Sequence, residues 1–186
     1  IQGINSFLPS DILVKDIFHV DESFHARYSA LDRTYRYIIL NQKYPSTHLL
    51  DNVLHFDQKI NISKIRSTFK YFKGEKDYSC FRSSGCSAKS AIKHIKSIKI
   101  SRDNNLIYID ITSNSFLYHM VRNIVGSLLD IGILKYNPES IDTLINSLDR
   151  KLCGKMVPAS GLYLMTASYP KKYKISSDKK FSFFKI

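Results

Sequence analysis

The chain has 186 residues, and its 44% hydrophobic and 12% aromatic content is enough for the packed core of one domain. Its 28 lysines and arginines outnumber its 16 acidic residues, and the net charge of +12 indicates a polyanionic partner, most simply a nucleic acid. The sequence has no apolar run of about 18 residues that would span a membrane, and its three cysteines fit neither a zinc nor a redox spacing, which predicts a reduced, cytoplasmic protein.

The N-terminal segments are predicted to be short. Residues 1–11 are typical of a helix end followed by a turn that contains proline. Residues 12–20 (ILVKDIFHV) are apolar and predict a strand. Residues 24–33 carry Arg27 in a stretch with little regular pattern, so we expect a loop there.

Residues 34–40 (TYRYIIL) alternate, which predicts a strand with Tyr35 and Tyr37 on one face and Arg36 on the other. Aromatic rings next to guanidinium groups are what an unstacked RNA base and its phosphates require. An ordinary strand, with its tyrosines in the core and its arginine in water, fits the same pattern. The strand alone therefore leaves both interpretations open.

The middle of the chain contains a predicted helix and a long polar connection. Residues 62–72 carry apolar side chains at helical spacing, and Gly74 is placed to end that helix. Residues 76–93 are mostly small and polar and form a predicted loop that includes Lys89 and Lys93. A cationic loop of this kind can grip phosphate groups, although most such loops are simply exposed surface.

The next segments predict an antiparallel hairpin. Residues 94–100 have strand character, and residues 101–105 (SRDNN) have the composition of a turn. Residues 106–112 alternate between apolar and polar side chains, which is typical of a half-buried strand.

A helix is predicted to follow this hairpin, with Ser113 or Asn114 as its cap and Gly132 at its end. From Phe116 onward, apolar residues recur every four positions, and Arg122 is the one full cation of the stretch. An arginine that cannot reach water needs a hydrogen-bonded anion, because its desolvation otherwise costs several kcal/mol. Alternatively, Arg122 extends to water from the polar side of an amphipathic helix.

The C-terminal part adds a helix, a strand and a basic tail. The pair Asn137 and Pro138 predicts a helix start, and residues 162–169 predict a final strand. Residues 170–186 are rich in lysine and predict a peripheral arm. Antiparallel strand pairs mixed with helices predict an α+β protein, with helices packed on one face of an antiparallel sheet.

Five stretches occur in an order and at a spacing that carry a family resemblance. They are NSFLPSDI, FHARYSALDRTYRYII, GEKDYSCFR, SNSFLYHMVRNIVGSLLDIG and VPASGLYLMTASYP. Together they resemble the tRNA pseudouridine synthase A family, and the resemblance extends from Ile1 to about Tyr173.

The resemblance implies the pseudouridine synthase fold and a specific reaction. Members of the family isomerise uridines 38 to 40 of the tRNA anticodon stem-loop to pseudouridine, with an Asp carboxylate as nucleophile. It also implies tRNA as the partner, a homodimer, and no metal or organic cofactor. Such a reaction requires that the base leave the stack and lie on an aromatic or apolar surface in a dry cleft.

The resemblance also implies roles for individual residues. Tyr35 matches the active-site tyrosine that packs against the target base, and Arg122 matches the arginine that pairs with the nucleophilic Asp. That carboxylate would be the anion that an arginine in this apolar helix needs.

Four further positions match residues that contact the substrate. Leu162 matches an apolar residue of the base pocket, and Arg27 matches an arginine of the substrate cleft. Lys89 and Lys93 fall where family members carry basic residues that face RNA. Leu162 in ordinary core packing, and both lysines at plain surface, remain open alternatives.

One family motif is missing from the sequence. The family's nucleophile lies in a GRTDAG loop upstream of the matching region, and no such loop occurs here. We therefore expect residues 1–27 to be a remnant of the N-terminal half and residues 28–186 to be the C-terminal α+β domain, inactive alone. The alternatives are a non-catalytic tRNA-binding or dimerisation module, and a basic domain without an RNA role.

Overall fold

The computed structural model describes residues 1–175. The strands are β1 (Asp32–Asn41), β2 (Leu54–Phe56), β3 (Gly74–Asp77), β4 (Ile92–Asp103), β5 (Leu106–Ser113) and β6 (Leu162–Ser168). The helices are α1 (Gln2–Asn5), α2 (Ile62–Ser67), α3 (Phe69–Phe72), α4 (Met120–Gly132) and α5 (Ser140–Ser147). Short 3-10 turns occur at Thr47–Leu49, Ser79–Phe81, Arg150–Leu152 and Lys171–Tyr173. None of the helices in this described range is long and apolar enough to cross a membrane.

The six strands form one sheet in the order β2-β1-β5-β4-β3, and β6 also pairs with β1. The β4–β5 hairpin is antiparallel, as predicted, and β1 runs antiparallel to both β5 and β6. One pair departs from the predicted antiparallel sheet, because β2 runs parallel to the end of β1, with Ile39 opposite Leu54. The sheet is therefore mixed, and its combination with helices confirms the α+β class.

Helices cover one face of the sheet, which we call the helix face. Alternate residues of β1 and β5 form its fully buried core against α4: Tyr37, Ile39, Ile107, Ile109 and Ile111. On the opposite face, which we call the open face, Ile38 and Leu40 form a smaller cluster with Val53 and Tyr108. This division follows from the two-residue period of a strand, which sends successive side chains to opposite faces.

Helix α4 carries the predicted apolar repeat into the core. Its buried positions include Met120, Ile124 and Leu128. The helix begins four residues after Phe116, where the apolar spacing placed its start. Ser113 and Asn114 do not cap it, because both side chains bond to the backbone of His94 in β4. His119, in a left-handed conformation (φ 61°), immediately precedes the helix.

Residues 12–20 do not form the predicted strand. A strand requires a neighbour whose backbone satisfies its N–H and C=O groups, and no strand of residues 1–175 pairs with this segment. Val14 is held instead by the Asn5 side chain, which accepts its N–H (2.8 Å) and donates to its carbonyl (2.9 Å). Leu13 and Ile17 remain 65% and 53% exposed.

Other element boundaries also differ from the pattern. The predicted helix over 62–72 is divided at Thr68 into α2 and α3, and Gly74, with a φ of +93°, follows it and begins β3, which extends into the predicted polar loop. The three-residue β2 lies where no element was expected. Helix α5 begins at Ser140, two residues after Pro138. The predicted arm 170–186 lies outside the described residues from position 176 onward.

Candidate active-site cavity

A cavity of 370 Å³ opens on the helix face, where β1 and β6 meet the start of α4. Four residues that the sequence assigned to the site line it, namely Arg27, Tyr35, Arg122 and Leu162. The remaining wall comes largely from the loop 85–88 and the turn before α4. These elements are far apart in sequence, so the sheet and α4 together bring the four residues into one cavity.

Tyr35 reaches the cavity because the odd-numbered residues of β1 point to the helix face. It lies opposite Ile111 in β5 and Leu164 in β6. Its ring meets the ring of Phe116 edge to face, with centroids 5.1 Å apart and an interplanar angle of 87°. The contact supports the Tyr35 ring and leaves it partly open to the cavity.

The neighbours of Tyr35 in the TYRY stretch have structural roles. Tyr37 is fully buried, and its hydroxyl donates to the carbonyl of Pro158 (2.8 Å). Arg36 donates to both carboxylate oxygens of Asp110 on the open face (2.7 and 2.8 Å). The ordinary-strand interpretation therefore applies to Tyr37 and Arg36, and Tyr35 alone is placed to contact a ligand.

Arg122 lies in the first turn of α4, where it is half-buried and lines the cavity. Its Nε donates to the carbonyl of Val157 (2.7 Å). Within residues 1–175 it forms no ion pair, and no Asp or Glu of this range lines the cavity. No described side chain therefore supplies the anion that a buried arginine needs, and the Val157 carbonyl accepts only one of the guanidinium's hydrogen bonds.

The carbonyl that holds this guanidinium belongs to residues 153–158, which we call the strap. The N–H of Gly154 donates to the hydroxyl of Ser127 in α4 (3.0 Å). A Cβ added at Gly126 would lie 2.0 Å from the carbonyl oxygen of Lys155. Glycine at this position lets the strap lie directly on α4, and the strap in turn fixes one edge of the guanidinium.

Leu162 begins β6 and forms part of the cavity wall. Its position depends on Gly161, whose φ of +97° is one that L side chains rarely adopt. The N–H of Ile38 donates to the Gly161 carbonyl (2.8 Å), and the N–H of Leu162 donates to the Ala159 carbonyl (3.0 Å). The Leu162 side chain is half-buried, so it packs on the core and also faces the cavity.

The predicted cations divide into two groups. Arg27 reaches the cavity from the loop before β1 as an exposed side chain. Lys89 and Lys93 do not line the cavity. Lys89 is exposed beside Ala88, which does line it, and the Nζ of Lys93 donates to the carbonyl of Ser90 (2.8 Å). The fold brings Arg27 to the cavity and leaves both lysines outside it.

The cavity also contains residues that the sequence pattern did not assign. Phe116, Tyr118 and His119 come from the turn before α4, and Cys86 comes from the loop opposite. The sequence gives no signal for this turn, because it contains neither glycine nor proline and the apolar helical spacing runs through it from Phe116. Burial, and then the charge of Arg122, lower the pKa of His119 below its ordinary value, so the imidazole is neutral near pH 7.

The three cysteines differ in their surroundings, as Cys86 and Cys80 show. Burial opposes ionisation of Cys86, but hydrogen bonds from the N–H groups of Tyr118 and Ala88, with the charge of Arg82, outweigh it and lower its pKa. Cys80 is fully buried, and burial raises its pKa to about 12. The cavity therefore carries the more readily ionised of these two thiols.

The cavity suits an aromatic ligand that also carries negative charge. It presents rings from its floor and turn, and the guanidinium groups of Arg27 and Arg122. In the part of the chain that the structure describes, no three His, Cys, Asp or Glu side chains are grouped closely enough to hold a metal ion. A nucleophilic carboxylate is also missing from its described lining.

Comparisons with known proteins identify the family. The family described as tRNA pseudouridine synthase matches residues 68–170. The chain is 39% identical over 175 residues to tRNA pseudouridine synthase A of Hydrogenovibrio crunogenus, which covers 94% of this chain and 67% of the relative. It is 42% identical over 168 residues to the protein of that name from Buchnera aphidicola subsp. Acyrthosiphon pisum, covering 90% and 63%. For the Acetivibrio thermocellus protein of that name, the identity is 40% over 167 residues, covering 90% and 68%.

The chain belongs to the tRNA pseudouridine synthase family. It spans about two thirds of the length of these relatives, from 63% to 68%. The family match includes the turn before α4, Arg122 and Leu162. Arg27 and Tyr35 lie outside that match but inside the 175-residue similarity to the Hydrogenovibrio tRNA pseudouridine synthase A, because that stretch leaves out so few residues of this chain.

Proposed function

We propose that this chain supplies the base-binding part of a tRNA pseudouridine synthase that isomerises uridines 38 to 40 in the anticodon stem-loop. The observation that carries the proposal is that Arg27, Tyr35, Arg122 and Leu162 line one cavity. Its volume of 370 Å³ is at the small end of ligand pockets, which span about 300–1,000 Å³. That size suits one nucleotide turned out of the RNA stack.

In this proposal, the rings and apolar side chains hold the uracil. Tyr35 packs against the base, supported from the side by Phe116, and Leu162 provides an apolar wall. Arg27 contacts a backbone phosphate at the exposed edge of the cavity. Lys89 and Lys93, outside the cavity, contact more distant phosphates, so their contribution falls with salt.

Arg122 holds the nucleophilic carboxylate in this mechanism. The strap occupies its Nε, so the terminal nitrogens remain to donate to a carboxylate and keep it ionised. The bond between C1′ and N1 of the uridine breaks, the uracil turns, and C5 bonds to C1′. The proton on C5 is lost and N1 gains one, so the isomerisation needs neither an oxidant nor a reductant.

The carboxylate itself is proposed to come from a segment that is not among these 186 residues. None of the four aspartates in the N-terminal part of the chain is placed to be the nucleophile. The cavity lining does not include Asp11, Asp16 or Asp21, and Asp32 pairs with Lys96 (2.7 Å). The same proposal includes the division of the chain into a remnant of the N-terminal half at 1–27 and a C-terminal domain at 28–186.

Two further properties belong to the same proposal. We propose that the protein acts as a homodimer in the cytoplasm. The outer edge of β6 pairs with no strand of the described chain, and Leu164 on that strand is 57% exposed, which leaves apolar surface for a partner. The three free cysteines fit a reducing compartment.

The test uses this chain joined to the part of the Hydrogenovibrio relative that it does not cover, which we call the joined enzyme. The substrate is an anticodon stem-loop tritiated at uridine C5, and the readout is tritium release. We expect release by the joined enzyme and none by the 186-residue chain alone. Release by the chain alone would show that the nucleophile lies within it.

A second candidate function has one observation in its favour. Because no described carboxylate lines the cavity, the chain could serve as a non-catalytic tRNA-binding or dimerisation module. The same assay separates the two, since such a module binds the stem-loop with salt-sensitive affinity but releases no tritium in either form.

A further inference from the structure

Two aromatic side chains are stacked at the mouth of the cavity. The rings of Tyr118 and His119 have centroids 3.7 Å apart and planes that differ by 28°. Both residues line the cavity, yet Tyr118 is 52% exposed. The imidazole covers one face of the phenol ring, and about half of the Tyr118 surface remains accessible to a ligand.

The backbone at the stack adopts a left-handed conformation at His119. The φ of this residue is 61°, a conformation that costs energy for a residue with a Cβ and occurs at active sites as well as at ordinary turns. The residues on either side, Leu117 and Met120, are buried at 3% and 0%. The N–H of Met120 donates to the Leu117 carbonyl (3.1 Å), which closes the turn between them. The buried side chains of Leu117 and Met120 therefore fix the turn, and Tyr118 between them is exposed to solvent.

The charge around the stack favours a ligand with negative charge and a flat ring. Arg27 and Arg122 line the same cavity, and no Asp or Glu of the described chain does. The lowered pKa of His119 leaves its imidazole uncharged near pH 7. A neutral imidazole behind a phenol ring gives a flat, uncharged aromatic surface beside cations, and such surfaces stack unpaired nucleobases.

We propose that the Tyr118–His119 stack is a second base-binding site, which holds an unpaired nucleobase adjacent to the uridine in the cavity. This inference rests on the proposed function and adds the binding of a flanking nucleotide to it. The platform reads the flat face of the base, so it accepts any of the four bases. Its role is to keep the flanking base out of the stack while the target uridine occupies the cavity.

The test measures binding of the 186-residue chain to a fluorescently labelled anticodon stem-loop by anisotropy. Tyr118→Leu should weaken binding about tenfold, since stacking of one base on one ring is worth about that much. Tyr118→Phe should bind like the wild type, because stacking uses the ring and not the hydroxyl. Tyr136→Leu is the matched control, since Tyr136 is 51% exposed and lies beyond the far end of α4.

A second RNA tests whether a base is the partner of the ring. This stem-loop carries an abasic nucleotide next to the target uridine, tested on either side of it. We expect one of the two abasic RNAs to bind the wild-type chain about tenfold more weakly than the intact RNA does. The Tyr118→Leu chain should bind that abasic RNA and the intact RNA equally well, because it has no ring for the base to stack on. Melting temperatures of the variants check that each one folds.

The outcomes separate the two levels of the proposal. If the wild type binds the stem-loop and Tyr118→Leu binds it equally well, the second site is wrong and the proposed function stands. If Tyr118→Leu weakens binding but neither abasic RNA does, the ring contacts something other than a base and the second site is wrong. If Tyr118→Leu changes only the sedimentation of the chain, the stack is a protein contact. If the wild-type chain binds no RNA, the second site is wrong, and tritium release by the joined enzyme decides the proposed function separately.

Discussion

The substitution Gly126→Ala separates helix propensity from the packing of the strap. Gly126 lies inside α4, where alanine is favoured over glycine by about 1 kcal/mol. A Cβ at this position, however, would lie 2.0 Å from the carbonyl oxygen of Lys155. Real Cβ contacts almost never fall under 3.0 Å, so the strap must move away by about 1 Å or more.

That movement has a cost that can be estimated from the contacts of the strap. Overpacking of this kind costs about 1–3 kcal/mol. The shift also breaks the bonds from Gly154 to Ser127 (3.0 Å) and from Arg122 to Val157 (2.7 Å), each worth about 1 kcal/mol. After the propensity gain of about 1 kcal/mol is subtracted, we therefore expect Gly126→Ala to lower the free energy of unfolding by about 2–4 kcal/mol, whereas propensity alone predicts a gain.

Urea unfolding of the 186-residue chain, followed by circular dichroism, measures this difference. Gly3→Ala is the control, because Gly3 is also helical and nothing lies within 4 Å of its added Cβ. Gly132→Ala is a second comparison, since its Cβ would meet the movable ends of Ile65 and Ile60 at 2.9 and 3.0 Å. A Gly126→Ala chain as stable as the wild type would show that the strap does not bear on α4.

Three further predictions concern titration, thiol reactivity and association. His119 should titrate below its ordinary pKa, because burial and a nearby guanidinium disfavour its charged form. Protonation therefore lowers stability as the pH falls, and an NMR titration that gives an ordinary or raised pKa contradicts this. Iodoacetamide should label Cys86 first, and Cys80 only on unfolding, because their pKa values are lowered and raised to about 12, respectively. Equal labelling rates by mass spectrometry would argue against these surroundings. The chain should self-associate through β6, and Leu164→Lys should reduce this in sedimentation experiments, whereas Leu134→Lys, at a site that is 63% exposed, should not.

The sequence predicted the elements whose own pattern determines them. The β4–β5 hairpin has alternating side chains and a polar turn, and the apolar repeat of α4 fills the core as expected. Residues 12–20 have an equally apolar pattern and form no strand, because a strand also needs a neighbour that its own sequence does not reveal. The short strand β2 was not predicted, because its three residues show no strand pattern of their own and are ordered by pairing with β1.

The residues of the candidate site also differ in how far their position could be predicted from the sequence. The apolar repeat singled out Arg122 as a cation that needs either an anion or a route to water. The family resemblance assigned it to the site, and its position in the cavity follows from the helix register. The family resemblance also assigned Tyr35 to the site. The alternation of β1 alone places Tyr35 and Tyr37 on the same face, and the complete burial of Tyr37 in the structure distinguishes the two. Tyr118 was not predictable, because the turn that exposes it depends on the left-handed conformation of His119.

The central claim is that Arg122 serves a carboxylate nucleophile and not a phosphate. It is tested most directly by comparing wild-type and Arg122→Ala joined enzymes in tritium release and in stem-loop binding. We expect kcat to fall by about a hundredfold or more, as for loss of a group that acts only in the transition state, while the Kd for the stem-loop stays within about twofold. An unchanged kcat with a weakened Kd would contradict it.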